Sequence, residues 1–395
     1  MKKLLMTKLP LLLGLLLAAN AWLHAQELRI HQLDVGQGAA TYIEVYTAAG
    51  MLAPRNILID AGYKEEASTI RTYLNNAGIK NVEYAVATHY DKDHIGGFLG
   101  TTSKPGLLDR TAPNAIIFKR ARIRGETVKP PLSNVYNEFL NELKSQIPGS
   151  KIKVPTPGAI LNLYNGSSWV IDAHYLAVNG ATKDVNKPKN DENQLSIVIL
   201  ITVKDRNTNK VLFSYLNAGD FPGKLDLKGK RDRGSFCINP QPYNSANSTG
   251  ADIKSQIQAL TNGQLCVMTA SHHGANNSLV DIVGRGSGPN GHGISHVLVS
   301  SGYDGNKHPG LEYLRSLKEK RVDWVWVTAV DEHARKNNLS NTDVKTNFKL
   351  KADKNRRHHI VVSFKKNGSN ITQTIKRVNY RGEQVGNAED LHCTN

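Results

Sequence analysis

The chain has 395 residues, with 50 lysines and arginines against 34 aspartates and glutamates and a formal net charge of +16. This length holds a sizeable core, as two domains or as one large domain with insertions, and a field of this sign attracts polyanions such as nucleic acid, although solubility alone also accounts for it. Three cysteines, Cys237, Cys266 and Cys393, have no metal-type spacing, which excludes a cysteine metal cluster, and they allow one bridge and one free thiol in an oxidising compartment.

Lys2, Lys3 and Lys8 precede an apolar run over 9–19, followed by small residues at Ala19-Asn20-Ala21 and at Ala25. Residues 1–25 therefore read as a secretory signal peptide, cleaved after Ala21 or Ala25. The run is too short to span a bilayer, and no other segment approaches about 18 uninterrupted apolar residues. The expected product is soluble and periplasmic or secreted, an uncleaved anchor being the rival. Loss of the three lysines lowers the formal charge from +16 to +13.

The mature chain opens with strands over 27–33 and 40–46, the first ending in Asp34-Val35-Gly36-Gln37-Gly38, where glycines permit a tight turn. A third strand over 56–60 closes on Ala61-Gly62. Residues 65–76 place Ile70, Tyr73 and Leu74 on an amphipathic helix that Gly78 stops, and 82–87 form a fourth strand. A helix begins over 95–99, residues 101–129 are expected to be irregular, and 134–147 form a second amphipathic helix. Strands follow over 159–163, 169–176, 195–203 and 211–216, with a polar loop over 181–192. After a Lys- and Asn-rich insertion over 224–250 come a helix over 253–260, strands over 265–269 and 296–301, a helix ending at Lys318 and a strand over 324–327. A β-hairpin over 358–365 and 371–377 ends the chain.

The densest chemistry follows the fourth strand, in Thr88-His89-Tyr90-Asp91-Lys92-Asp93-His94-Ile95-Gly96-Gly97. Two imidazoles and two carboxylates within six residues suit a borderline divalent cation, which takes imidazole nitrogen and carboxylate oxygen. A solvated polar loop is the plain alternative. Three later strand ends add donors: Asp220 after Ala218-Gly219, the adjacent His272 and His273, and His308 before Pro309. Asp220 reads as a ligand rather than a helix cap because Pro222-Gly223 follows it. Two adjacent imidazoles diverge, so one suits a metal and the other a substrate or an orienting partner.

Asp34-Val35-Gly36-Gln37-Gly38, Ile57-Leu58-Ile59-Asp60-Ala61-Gly62, residues 88–97, Glu192-Asn193 before Ser196-Ile197-Val198, Ala218-Gly219-Asp220, His272-His273-Gly274 and Ser301-Gly302 through His308-Pro309 occur in one order over 27–330. In that order they resemble the metallo-β-lactamase superfamily, and within it the hydrolase domain of the DNA-uptake competence protein ComEC. The resemblance implies a single α/β domain over 26–395, an αββα sandwich with basic loop insertions and a C-terminal β-hairpin. It also implies two divalent metal ions, zinc or manganese, at strand ends between two sheets. Carried over, it assigns His89 and Asp91 to one ion and Asp93 and His94 to the other, with Asp220 bridging. His272 or His273 completes the set, and His308 either does so too or contacts substrate. Asp91 stands where many members have His, as in the competence branch. The superfamily's extra mid-chain His has no clear counterpart, since His174 lacks the motif context, and manganese is then as fitting as zinc.

Two cations roughly 3.5–4 Å apart generate a hydroxide and stabilise both oxygens of an in-line displacement, which suits a phosphodiester. The expected function is an exported metal-dependent phosphodiesterase or nuclease acting on DNA. Asp93 and His273 are its expected catalytic residues, with Lys307 beside the developing charge and Asn277 and Ser278 touching substrate. The basic stretches 119–129, 224–233 and 351–357 either track a DNA backbone or stand solvated. An export signal stands where the competence protein carries a membrane channel, so DNA import is not implied. The alternatives are another ester or amide hydrolase on the same scaffold, of phosphorylcholine esterase or lactamase type, and a non-catalytic basic nucleic-acid-binding protein.

Overall fold

The computed structural model describes residues 26–47, 49–101, 103–125, 134–184, 192–222, 249–263, 265–276, 278, 294–302, 308–319, 322, 324–329, 358–367 and 370–391. The expected signal peptide, the basic stretches 224–233 and 351–357, Asn277 and Lys307 lie outside these residues. The first strands are β1 (Gln26–Gln32), β2 (Thr41–Tyr46), β3 (Ile57–Ile59), β4 (Asn81–Ala87), β5 (Ile117–Ile123) and β6 (Ile152–Lys153). Next come β7 (Ile160–Asn165), β8 (Trp169–Val178), β9 (Ala181–Thr182), β10 (Val198–Asp205) and β11 (Val211–Asn217). The chain continues through β12 (Val267–Thr269), β13 (His296–Val299) and β14 (Trp324–Val327), and closes with β15 (His359–Asn367), β16 (Asn370–Val378) and β17 (Gln384–Asp390). The α-helices are α1 (Ala67–Asn76), α2 (Lys92–Leu99), α3 (Asn134–Gln146), α4 (Thr249–Thr261) and α5 (Leu311–Glu319).

Two sheets result. One runs β17-β16-β15-β1-β2-β3-β4-β5-β6 and the other β14-β13-β12-β11-β10-β8-β7, with β9 paired to β8. Side chains alternate across a strand, so one strand feeds two layers. Ile57 and Ile59 of β3 and Ile199 and Ile201 of β10 face the core between the sheets, with Trp169, Phe213 and Phe364. Leu58 of β3 faces the opposite way, against Ile70 and Leu74 of α1, Ile95 and Phe98 of α2 and Phe139 of α3. Leu200 of β10 likewise packs outward with Ile253 and Ile257 of α4 and Tyr313 and Leu317 of α5. Helices thus cover the outer face of each sheet, giving an αββα sandwich whose central strands are apolar on both faces.

Each sheet has a parallel portion, β3-β4-β5-β6 in one and β11-β12-β13-β14 in the other. Loops leaving the carboxyl ends of such strands form the crevice in which open α/β sheets bind ligands. All the chemistry-bearing motifs after β4, β11, β12 and β13 leave from those ends.

Three sequence expectations change. The stretch 101–129 contains β5, whose Phe118 and Ala121 are buried while Lys119 is exposed, so charges on one face hid the alternation. β17 is an edge strand exposed on most of its residues; it forms by backbone pairing to β16 and carries no apolar signal. Helix α2 starts at Lys92 rather than at 95, which puts Asp93 and His94 on its first turn. No helix among the described residues is long and apolar enough to cross a membrane.

Candidate metal centre

The centre lies where strand ends of the two sheets meet. β4 delivers Thr88 and His89, and Asp91 takes the position before α2 in an extended conformation (φ −69°, ψ 148°), its carboxylate making no capping bond to the helix. That frees it for the site. β11 delivers Asp220, and β12 leads into the short turn Ser271–Gly274. There His272 (φ 48°, ψ 43°) and His273 (φ 53°, ψ 21°) are both left-handed. Such a conformation costs a non-glycine residue roughly 1–2 kcal/mol, and it persists where the surroundings over-determine it, typically at functional sites.

Asp220 stands at the middle of the cluster. Its Oδ1 lies 3.0 Å from His94 Nε2 and 3.8 Å from His273 Nε2, while its Oδ2 lies 3.8 Å from His89 Nε2 and 3.9 Å from His272 Nε2. Asp93 Oδ2 is 3.3 Å from His273 Nε2, and Asp91 Oδ2 is 3.5 Å from His89 Nε2. The donors therefore sort about the two Asp220 oxygens, His89, Asp91 and His272 on one side and His94, Asp93 and His273 on the other. Two sets have every donor atom within 4.8 Å of the others, namely His89, His94 and Asp220, and Asp93, His94 and His273.

Hydrogen bonds fix which ring nitrogen faces inward. Asp60 Oδ2 accepts from His94 Nδ1 at 2.8 Å and from Thr88 Oγ1 at 2.7 Å, and Thr88 Oγ1 lies 3.1 Å from His89 Nδ1. With both Nδ1 atoms occupied, the Nε2 lone pairs of His89 and His94 point at the centre, as metal-ligating imidazoles require. Nε2 of His89, His94 and His273 are buried and make no aligned hydrogen bond among the described residues. Buried polar atoms are almost always satisfied, and divalent cations held by the two sets would satisfy these three between them.

The electrostatics agree. Burial pushes Asp93 up, but the adjacent His273 and the charge of His94 hold its carboxyl at about 2. Asp220 is held well below the carboxylate range, against its burial, by His94 and His273. Burial lowers His94 and His273, yet Asp220 raises both, with help from Asp60 and Asp93 respectively. A field that retains protons on buried imidazoles attracts a cation, which displaces those protons when it binds.

Asp60 was part of a quoted motif with no role attached, and its left-handed φ of 59° at a strand end is the trace it leaves. Asp60→Asn keeps the shape and tolerates that φ, yet loses the charge that orients His94. Metal affinity is expected to fall by about 10–100-fold, read by competition with a chromophoric chelator. Wild-type affinity in this variant removes Asp60 from the orienting role.

The remaining sequence-selected residues are placed as follows. His308 lies beside the two adjacent imidazoles, its ring 6.2 Å from that of His272 and 6.4 Å from that of His273. Burial and those two imidazoles push His308 down to about 3. Ser278 is corrected: it is fully buried and its hydroxyl donates to Ser271 O at 2.6 Å, so it braces the His272-His273 turn and cannot reach a substrate. His174 on β8 is a core imidazole paired with Thr202 at 3.0 Å and pushed by burial to about 4. The described part of the basic stretch 119–129 divides, with Lys119 and Arg120 half-exposed at their side chains and Arg124 buried. Lys119 and Arg120 pair with Glu83, Arg122 stacks on Tyr84, and Arg124 is buried against Glu192.

Residues 50–114 match the family model described as the metallo-beta-lactamase superfamily. That segment contains Asp60, His89, Asp91, Asp93 and His94, whereas Asp220, His272, His273 and His308 lie beyond it. No curated protein sequence matches the chain. Among solved structures it is similar to the crystal structure of a long form RNase Z from yeast, with a TM-score of 0.40 at 9% identity over 90% of this chain and 49% of that one. The chain thus spans about half the length of that relative.

Proposed function

We propose that this protein is an exported metal-dependent hydrolase of phosphodiester bonds, with DNA as its substrate class. The observation that carries the reading is the convergence on the two oxygens of Asp220 of three buried imidazole nitrogens with no aligned hydrogen bond among the described residues, with the Asp91 and Asp93 carboxylates against His89 and His273. Imidazole and carboxylate donors suit zinc or manganese, and the three carboxylates Asp91, Asp93 and Asp220 with the four imidazoles His89, His94, His272 and His273 suffice for two ions. Divalent ions held there supply Lewis-acid polarisation of a phosphodiester and lower the pKa of water at the site. Asp220 holds both halves together. Asp60 and Thr88 orient His94 and His89, and His273 is spent in the cluster rather than on substrate. His308, neutral and with Nδ1 buried and unpartnered among the described residues, is placed to hydrogen-bond a group bound above His272 and His273. The formal charge of +13 left after loss of Lys2, Lys3 and Lys8 supports a polyanionic substrate. Asp91 in place of His supports the competence-type branch. Export is supported by the signal-like residues 1–25 and by the disulfide at Cys266, a bond characteristic of oxidising compartments.

The test incubates the purified protein with single- and double-stranded DNA and manganese or zinc, beside a chelator control. Chelator-sensitive cleavage is expected. Turnover confined to small esters or lactams moves the function to another hydrolase, and salt-dependent DNA binding without turnover of any phosphodiester moves it to a binding protein.

A further inference from the structure

We propose that Arg124 and Glu192 form a buried positioning pair that sets the Tyr90 turn and, through it, the reach of His89 and Asp91. The proposal rests on the metal-centre reading above. Arg124, at the end of β5, has a side chain with no exposure, and it donates from Nε to Glu192 Oε1 at 2.7 Å and from Nη2 to Oε2 at 2.6 Å. Such a bidentate fork fixes the carboxylate in plane and direction. The same Oε1 accepts the backbone N–H of Tyr90 at 2.7 Å. Tyr90 is the residue between the first two candidate ligands. The guanidinium also lies 4.2 Å from the centroid of the Tyr90 ring, and both Tyr90 Oη and Arg124 Nη1 donate to Gly125 O. Backbone and side chain of Tyr90 are thus held by one pair.

The pair spans the two sheets. Arg124 follows a strand of the first and Glu192 comes from the segment leading into β10 of the second, where Ile197 N–H also bonds Thr88 O at 2.9 Å. A buried ion pair is weak evidence of stabilisation, because desolvation consumes much of its attraction. The grip on Tyr90 has a more specific consequence. Of this half only His89 is buried, its Nδ1 against Thr88 Oγ1; Asp91 has a side chain 47% exposed and His272 one 27% exposed, so packing does little to hold those two. The other half is anchored elsewhere, by Ala39 N–H on Asp93 O at 3.0 Å and Ala61 N–H on His94 O at 2.7 Å. Loss of the pair should therefore weaken one ion site and spare the other, a split that general destabilisation does not produce.

The experiment titrates manganese into the full-length wild-type protein, Glu192→Ala, the double variant Arg124→Met/Glu192→Leu, and Glu83→Gln, which alters an ion pair on β4 remote from the turn. Stoichiometry comes from elemental analysis, and electron paramagnetic resonance separates a coupled pair of ions from an isolated one. Two ions are expected in wild type and in Glu83→Gln. Both position-192 variants should keep the first ion within twofold and lose the second by about tenfold or more, with the coupled spectrum replaced by an isolated one. The apolar double variant removes the buried charge without restoring an acceptor for Tyr90 N–H, so it reports on positioning even where Glu192→Ala misfolds. Unchanged binding of both ions, equal loss of both, or failure of both variants to fold overturns the proposal. Wild-type protein that binds no divalent ion overturns the metal-centre reading itself.

Discussion

Asp220→Asn is expected to weaken metal binding at the centre and slow hydrolysis by about 10²–10³-fold while the chain stays folded. Among the described residues Asp220 is the one whose two oxygens face both donor sets, at 3.0 and 3.8 Å from His94 and His273 and at 3.8 and 3.9 Å from His89 and His272. The amide keeps its volume but removes the negative charge that raises His94 and His273. Losing one preorganised electrostatic contribution costs about 3–4 kcal/mol of transition-state stabilisation, which is about 10²–10³-fold in rate at 1.36 kcal/mol per tenfold. Elemental analysis, circular dichroism and the turnover rate measured on one preparation check the three parts together. Two tightly bound ions and wild-type turnover in this variant would contradict the central place of Asp220.

Gly97→Ala is expected to have the largest effect on stability, about 3 kcal/mol or more, beyond the usual range for an overpacked core. A Cβ at Gly97 would stand 2.0 Å from Ala61 O, and one at neighbouring Gly96 2.7 Å from Lys64 N. The obstacle in each case is backbone, which cannot swing aside as a side chain does. The close approach lets Gly97 N–H reach Gly62 O at 2.9 Å, seating α2 on the loop that follows Asp60. Since Asp93 and His94 ride on the first turn of α2, the variant should lose metal affinity along with thermal stability. Gly149→Ala is the control: a Cβ there meets nothing within 4 Å, and its melting temperature should stay within a degree or two of wild type. Equal melting temperatures for Gly97→Ala and wild type would contradict the close approach.

The motif order made the sandwich legible through the resemblance it carries to the metallo-β-lactamase superfamily, while periodicity gave the separate strands and helices. What escaped was built on polar surfaces or on distant pairings. β5 is a strand whose exposed face carries Lys119, which concealed its period of two. β17 forms on an existing edge, by backbone bonds that any residue offers. In the basic run around residue 120 the sequence does not separate the buried Arg124, paired with Glu192, from the half-exposed Lys119 and Arg120, paired with Glu83.

The site divides in the same way. Residues 88–97 disclosed their donors by local density, so His89, Asp91, Asp93 and His94 could be chosen from spacing and donor chemistry. Sequence left open which of His272, His273 and His308 join them, because that depends on two left-handed residues and on distances across two sheets. Asp60 is 28 residues from Thr88 and Glu192 is 102 from Tyr90, yet each bonds its partner within 2.8 Å. The candidate donors of residues 88–97 were a property of the chain. Ligand orientation was decided by the meeting of the two sheets, because only the fold brings a carboxylate from one strand end against an imidazole or an amide from another.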